Sequence, residues 1–256
     1  MPFEVANRII SQQNGVFLIL LDQIYSDERL QNYPHRIIPL GKIGKIIRTI
    51  KAQKIENIMM IGGMNLPDFK AIKPDILGAV LIWKILRLKN RGDNAILTLI
   101  AGFVEKKGIK ILNPIDFLPA NILKTSKSPT KEQQNDIEFG VKILGAIADF
   151  DIAQSVAICN GRVIGIEAAE GTDELIARCK KYRENGRFTG NPVLVKLIKT
   201  NQDTRLDAPT IGEKTIKNLV ESGFCGIAIN PKNTILDNPG QIQQLAEENN
   251  IFIYNI

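Results

Sequence analysis

IGKIIRTIKAQKIENIMMIGG (residues 43–63) decides the class of fold. Ile43, Ile46, Ile47 and Ile50 recur at the spacing of one helix face, with lysines on the other, which predicts an amphipathic helix over 43–55. NIMMIGG (57–63) follows as a short apolar run closed by paired glycines, the pattern of a buried strand. Upstream, VFLILL (16–21) reads as another buried strand. A strand, a helix and a strand in that order imply a parallel sheet with helices packed on it. A helix over 1–12 precedes them, with Val5, Ile9 and Ile10 near one face. A Leu- and Ile-rich helix over 75–89, a helix from Asn94 to about Lys107 and a short strand IKIL (109–112) complete a first half.

KTSKSPTKEQQND (124–136) changes composition sharply: it is polar, holds Ser128-Pro129 and lacks apolar periodicity. It is read as the connection between an N-terminal domain (1–123) and a C-terminal one (137–256). The second half predicts a helix over 136–148, strands AQSVAICNG and RVIGIEAA, and a helix from Asp173 to Arg183. Strand VLVKLI (193–198), a helix over 213–222, strands CGIAI and NTILD, a helix over 240–249 and strand IFIYNI follow. Asn160-Gly161 between two strands suits a type I′ hairpin turn, so this sheet is mixed. The fold class is therefore α/β with two α/β domains, the first a Rossmann-like parallel sheet and the second a mixed sheet.

The chain of 256 residues is 44% hydrophobic and 23% charged, ordinary globular composition, with a net charge of +6 that suits an anionic partner. Biased use of Lys, Ile and Asn explains the same charge without any partner. Cys159, Cys179 and Cys225 show no CxxC spacing, which points to a reducing compartment. His35 is the single histidine, and sits beside Pro34 with no visible catalytic partner. The longest apolar runs fall far short of the roughly 18–20 residues that span a bilayer. The expectation is a cytoplasmic protein that touches a membrane without crossing it. Motifs for a P-loop, GxGxxG or GxSxG are absent, as is a basic patch interleaved with aromatics, so nucleic acid is not an expected partner.

Chemistry concentrates in NQDTRLDAP (201–209), between the apolar run VLVKLI and a helix for which Thr210 and Glu213 fit a capping box. Strand-to-helix connections are where α/β proteins place ligands. Asp203 and Asp207 are hard oxygen donors of the kind Mg²⁺ or Mn²⁺ accepts, and magnesium uses one or two carboxylates plus substrate phosphates. Arg205 between them suits a phosphate, and Lys196 and Lys199 add positive charge. A surface loop in which Arg205 simply pairs with the two aspartates is the plainer alternative.

GIEAAEGTDELI (165–176) is the second constellation. Glu167 and Glu170 end a strand, Gly171 and Thr172 open a helix, Thr172 is a natural N-cap and Asp173 suits the helix dipole. Glu167, after an apolar strand, would be partly buried and would need a metal, Arg or Lys as partner. Asp93 reads as a plain helix N-cap. Trp83, Lys84, Arg87, Lys89 and Arg91 give one helix a basic flank, either membrane-facing or simply solvated.

The blocks DIAQSVAICNGRVIGIEAAEGTDELIARC (151–179), PVLVKLIKTNQDTRLDAPTIGEKTI (192–216) and NTILD (233–237) resemble, in that order, the metal-dependent UDP-2,3-diacylglucosamine pyrophosphatases of lipid A biosynthesis, the LpxI type. LGKIGKIIRTIKAQKIENIMMIGG (40–63) and GDNAIL (92–97) are similar to first-half blocks of that family. The resemblance implies hydrolysis of a UDP-linked diacylated glucosamine to UMP and the diacylglucosamine 1-phosphate, with water attacking the α-phosphate and Mg²⁺ (or Mn²⁺) assisting. It also implies two α/β domains with substrate between them, a homodimer, and work at the cytoplasmic face of a Gram-negative inner membrane. The family's essential aspartate belongs to its QDxRxD block, which offers Asp203 or Asp207 here as catalytic and metal-holding residues, with Arg205 as their catalytic partner. Gln202, Lys196, Lys199, Glu167, Glu170, Gly171, Thr172 and Asp173 are carried over as substrate-binding residues.

Three departures lie in the first half. The family's opening strand and GxGxLP loop have no counterpart after Met1-Pro2-Phe3; its Lys- and Arg-bearing stretch is here Gly62-Gly63-Met64-Asn65-Leu66-Pro67; and a GDD-like turn is Gly92-Asp93-Asn94. Either the true start lies upstream, or the first domain has lost part of its ligand contacts, and the second case leaves a degenerate, non-catalytic nucleotide–lipid binding protein as the alternative.

Overall fold

The computed structural model describes residues 2–21, 27–62, 72–88, 92–118, 122–150, 152–199 and 202–256. The chain divides into two compact units, Met1–Leu118 with Arg205–Asp207, and Pro119–Thr204 with Ala208–Ile256.

The first unit runs α1 (Pro2–Ser11), β1 (Leu18–Leu21), β2 (His35–Ile38), α2 (Ile43–Ala52), β3 (Asn57–Ile58), α3 (Ile76–Leu86), α4 (Asp93–Glu105) and β4 (Lys110–Ile111). The isoleucine face of α2 is inside: Ile47 and Ile50 pack with Ala101 and Val104 of α4, Ile109, Ile111 and Leu206. Helix α2 stops short of the predicted Ile55 because Lys54 takes a left-handed φ of 52° and the Ile55 N–H folds back to the Ile50 carbonyl at 3.0 Å.

Parallel pairing is present, but in two separate ladders, β1 with β2 and β3 with β4, so a single Rossmann-like sheet is not seen among the described residues. The two expected buried strands are shorter and wetter than read. β1 covers only 18–21, half-buried with Leu21 exposed, and β2 is its single ladder partner among the described residues. β3 is limited to two residues by the length of β4. His35 opens β2, and its Nδ1 is 2.9 Å from the Tyr33 carbonyl. Gly92, not Asp93, is the N-cap of α4. Residues 63–67, 89 and 91 lie outside the described residues, and with them most of one departure and two members of the basic flank.

The second unit holds α5 (Lys131–Ile147), β5 (Ser155–Cys159), β6 (Arg162–Ile166), α6 (Gly171–Glu184), β7 (Val193–Lys196), β8 (Thr210–Ile211), α7 (Glu213–Glu221), β9 (Gly226–Ile229), β10 (Ile235–Leu236), α8 (Pro239–Glu248) and β11 (Phe252–Asn255). Its main sheet has the order β11-β9-β7-β5-β6, with β7, β9 and β11 parallel and β5 antiparallel to both neighbours. The expected mixed sheet is thus present. Helices α7 and α8 are the crossovers of two βαβ units, β7-α7-β9 and β9-α8-β11.

Residue alternation gives each face its own core. Leu194, Ala157, Ile227 and Ile253 pack against α6, α7 and α8. Val193, Val195, Val156 and Ala228 pack against α5. Gly140 lets α5 approach closely: a Cβ there would meet Val195 Cγ2 at 2.6 Å. The hairpin turn is as expected, with φ of 52° at Asn160 and 72° at Gly161.

Helix α5 begins inside the stretch 124–136, whose composition reads as a connection. Thr130 and Gln133 form a complete capping box, so the polar run from Lys131 is a helix start. Asp136 at its end is buried and accepts from the hairpin N–H groups of Asn160 (2.9 Å) and Gly161 (2.7 Å). No helix among the described residues is long and apolar enough to cross a membrane.

Candidate active site

The sheet of the second unit gathers polar residues at the carboxyl ends of its parallel strands. Lys196 ends β7 and is paired in register with Ser155 at the start of β5. By alternation both sit on the α6 side, with Leu194 and Ala157. Glu167 follows β6, and its N–H reaches the Ser155 carbonyl at 2.9 Å. Thr172 stands in the first turn of α6.

These four side chains form one chain of hydrogen bonds. Lys196 Nζ donates to Thr172 Oγ1 at 2.6 Å, and Thr172 donates to Glu167 Oε1 at 3.2 Å. The Ser155 hydroxyl is 3.3 Å from the same Thr172 oxygen. Since the single Thr172 proton goes to Glu167, Ser155 is the donor there. Ser155 is fully buried, Lys196 5% exposed and Glu167 9% exposed. Glu167 Oε2 is buried and has no hydrogen-bond partner among the described residues. A buried carboxylate oxygen in that state is costly unless a further cation or donor reaches it.

Thr172 is therefore not the N-cap of α6. Glu170 occupies that position, and the Thr172 hydroxyl turns to the sheet because Lys196 and Glu167 offer stronger, charged partners. Glu170 is itself engaged: Arg178 Nη2 donates to it at 2.6 Å, and the Ala168 N–H at 3.1 Å. Its own backbone N–H, joined by Arg178 and the Ala168 N–H, holds its carboxyl below the usual range, although burial opposes this as the second-largest influence. Arg178 also donates to the Ile166 carbonyl at 2.9 Å, so this pair fastens the β6–α6 turn. Asp173 accepts from Lys214 (2.8 Å) and Asn218 (3.0 Å), which ties α6 to α7. Gly171 takes a φ of 81° at the turn into α6.

The acidic loop follows β7. Gln202 Oε1 accepts from Gln154 Nε2 at 3.0 Å and from the Lys199 N–H at 3.3 Å, which fixes the loop to the segment leading into β5. Asp203 and Asp207 are both half-buried. Leu206 between them is buried in the core of the first unit, and Arg205 there pairs with Glu105 of α4 at 2.8 Å. Arg205 thus has a partner on α4, which the sequence reading did not name. Beyond the loop, Pro209 is buried, its carbonyl accepting from the Ile235 N–H at 2.8 Å. The expected capping box of Thr210 and Glu213 does not form: Thr210 belongs to β8, and Gly212 is the N-cap of α7. Thr200 and Asn201 lie outside the described residues.

Among the described residues no three His, Cys, Asp or Glu side chains gather as a ready ligand set. Two half-buried carboxylates on one loop nevertheless fit Mg²⁺, which takes one or two protein carboxylates and completes its shell with water and substrate phosphate. Sequence reasoning missed Ser155 and Gln154, which carry no local signal, and Glu105, which lies one hundred residues from its partner.

A βαβ-based sheet with a buried carboxylate–hydroxyl–ammonium chain at its carboxyl edge, and an acidic loop leaving the same edge, has the layout of an α/β enzyme. The LpxI N-terminal domain family matches residues 1–121 and the LpxI C-terminal domain family residues 120–254, and the chain belongs to the LpxI family. The UDP-2,3-diacylglucosamine pyrophosphatase LpxI of Caulobacter vibrioides is 27% identical over 263 residues, an alignment spanning all of this chain and 94% of that protein. The hydrolase class expected from the sequence agrees with that relative's name.

Proposed function

We propose that the chain hydrolyses UDP-2,3-diacylglucosamine in lipid A biosynthesis. The observation that carries the reading is similarity along the whole chain, through both domain families, to a pyrophosphatase named for that substrate. Water oxygen forms a bond to the α-phosphorus, the bond from that phosphorus to the bridging oxygen breaks, and the products are UMP and 2,3-diacylglucosamine 1-phosphate.

Asp203 and Asp207 would hold Mg²⁺ (or Mn²⁺). When bound, the ion supplies charge against the phosphate oxygens and lowers the pKa of a water. Lys196 keeps an ammonium at the sheet edge, oriented by Thr172, and offsets negative charge growing on the diphosphate. Glu167 sets the Thr172 hydroxyl through Oε1 and keeps Oε2 open to a further donor. Gln202 holds the acidic loop in place from the strand side. Arg205, with Lys199, is assigned to the phosphates. Contact with the cytoplasmic face of the inner membrane and assembly as a homodimer belong to the same proposal.

Purified protein incubated with UDP-2,3-diacylglucosamine and Mg²⁺ should release UMP, and chelation with EDTA should stop it. Tight binding of the substrate with no metal-dependent UMP would instead identify a binding protein.

A further inference from the structure

The outward stripe of α3 is chemically out of place on a protein surface. Helix α3 turns Gly78, Leu81 and Ile85 inward, where Leu81 and Ile85 pack with Ile96, Leu99 and Phe103. On an ordinary surface helix the opposite face carries charge. Here it carries Ile76 (84% exposed), Val80 (41%) and Trp83 (51%), spaced four and three residues apart and so aligned on one ridge. The run Ile76–Trp83 contains no polar side chain.

Cations finish the same ridge. Arg87, one turn beyond Trp83, lays its guanidinium over the indole at 3.7 Å. Lys84 is exposed beside it, within 5.8 Å of the Phe103 ring. The acidic residue at the helix start, Asp75, has its carboxylate turned to backbone: Gly78 N–H donates at 2.9 Å and Lys45 N–H at 3.1 Å. The ridge therefore presents aliphatic side chains, one interfacial aromatic and positive charge.

We infer that this face of α3 docks on an anionic lipid bilayer. Aliphatic side chains enter the acyl boundary, Trp83 sits at the headgroup level, and Lys84 and Arg87 meet lipid phosphates. A second copy of the chain is the poorer occupant: a parallel contact through this ridge sets Lys84 and Arg87 against their own copies, and an antiparallel one sets them against the apolar Ile76, with no carboxylate of the ridge to meet them. The inference deepens the membrane-contact part of the proposed function and is independent of the hydrolysis.

Trp83 is the sole tryptophan, so its fluorescence reports on this face alone. With phosphatidylglycerol vesicles the protein should sediment and the Trp83 emission should shift to the blue. Phosphatidylcholine vesicles and high salt should weaken both effects. The Ile76→Glu/Val80→Glu variant, altered only at exposed positions, should partition about tenfold or more weakly while keeping its circular dichroism. Three results would overturn the inference: no sedimentation with phosphatidylglycerol; sedimentation with unchanged Trp83 emission, which places lipid elsewhere; or a blue shift that follows protein concentration without lipid, which makes the occupant a second copy. The vesicles contain no nucleotide, so failure here leaves UMP release untouched, and failure of UMP release leaves this result untouched.

Discussion

Lys196 and Thr172 are joined at 2.6 Å, strand end to helix start, and the same threonine hydroxyl reaches Glu167. One hydroxyl therefore orients both a buried ammonium and a buried carboxylate. Thr172→Val removes that hydroxyl at nearly constant shape. It should lower stability by about 1–3 kcal/mol, the cost of leaving buried polar groups short of a partner, as read by urea unfolding. It should also slow UMP release at least about tenfold, because the Lys196 ammonium is no longer held in line. Thr172→Ser should restore most of both.

Arg205 and Glu105 form a pair about one-third exposed on each side, 37% and 40% by side chain. Such a pair contributes only about 0–1 kcal/mol. Glu105→Ala should therefore leave both thermal stability and turnover almost unchanged. Arg205→Ala should match it in stability but lose about tenfold or more in kcat/KM if the guanidinium also meets phosphate. Equal, small effects from both substitutions would reduce Arg205 to an anchor of the loop.

Leu206 is a core residue of the first unit, packed with Ile47, Ile50 and Val104. Leu206→Ala should cost about 2–5 kcal/mol by the apolar burial lost and the cavity left. A fall in Tm measured by calorimetry checks this. The position is flanked by Arg205 and Asp207, so the same variant tests whether a loop with its apolar anchor removed still supports turnover.

Much of the fold is legible because the second unit alternates cleanly. Val193, Leu194 and Val195 point to opposite cores in turn, and the strand positions follow from that pattern. The strands of the first unit are less legible. VFLILL is as apolar as a central strand, yet β1 has one ladder partner among the described residues and stays half-wet, because pairing is a tertiary property that a local run does not encode. Helix caps are hard to read locally for a similar reason. Thr172 has the local chemistry of an N-cap, but a lysine and a glutamate brought close by the sheet outcompete the helix N–H groups. Asp203, Asp207, Lys196 and Glu167 stand out by residue type alone. Ser155 does not, since nothing but strand register joins it to Lys196.

Burial raises the thiols of Cys179 and Cys225 from an ordinary value of 9.0 to about 11. A folded pKa above the unfolded one means that the neutral thiol is favoured in the native state. That contribution is complete below pH 9 and is lost as the pH rises toward 11. Unfolding free energy should therefore fall across that window, less steeply in Cys179→Ala and Cys225→Ala variants. All three cysteines are buried, so a thiol reagent near neutral pH should react slowly with the native protein and fully once urea has unfolded it.

The most direct measurement is UMP release from UDP-2,3-diacylglucosamine, across a Mg²⁺ titration, by the wild-type chain and by Asp203→Ala and Asp207→Ala. The wild type should saturate with Mg²⁺. At least one variant should lose about a hundredfold or more of turnover while unfolding at the wild-type temperature. Near-normal, metal-dependent release by both variants would contradict the assignment of the acidic loop as the catalytic centre.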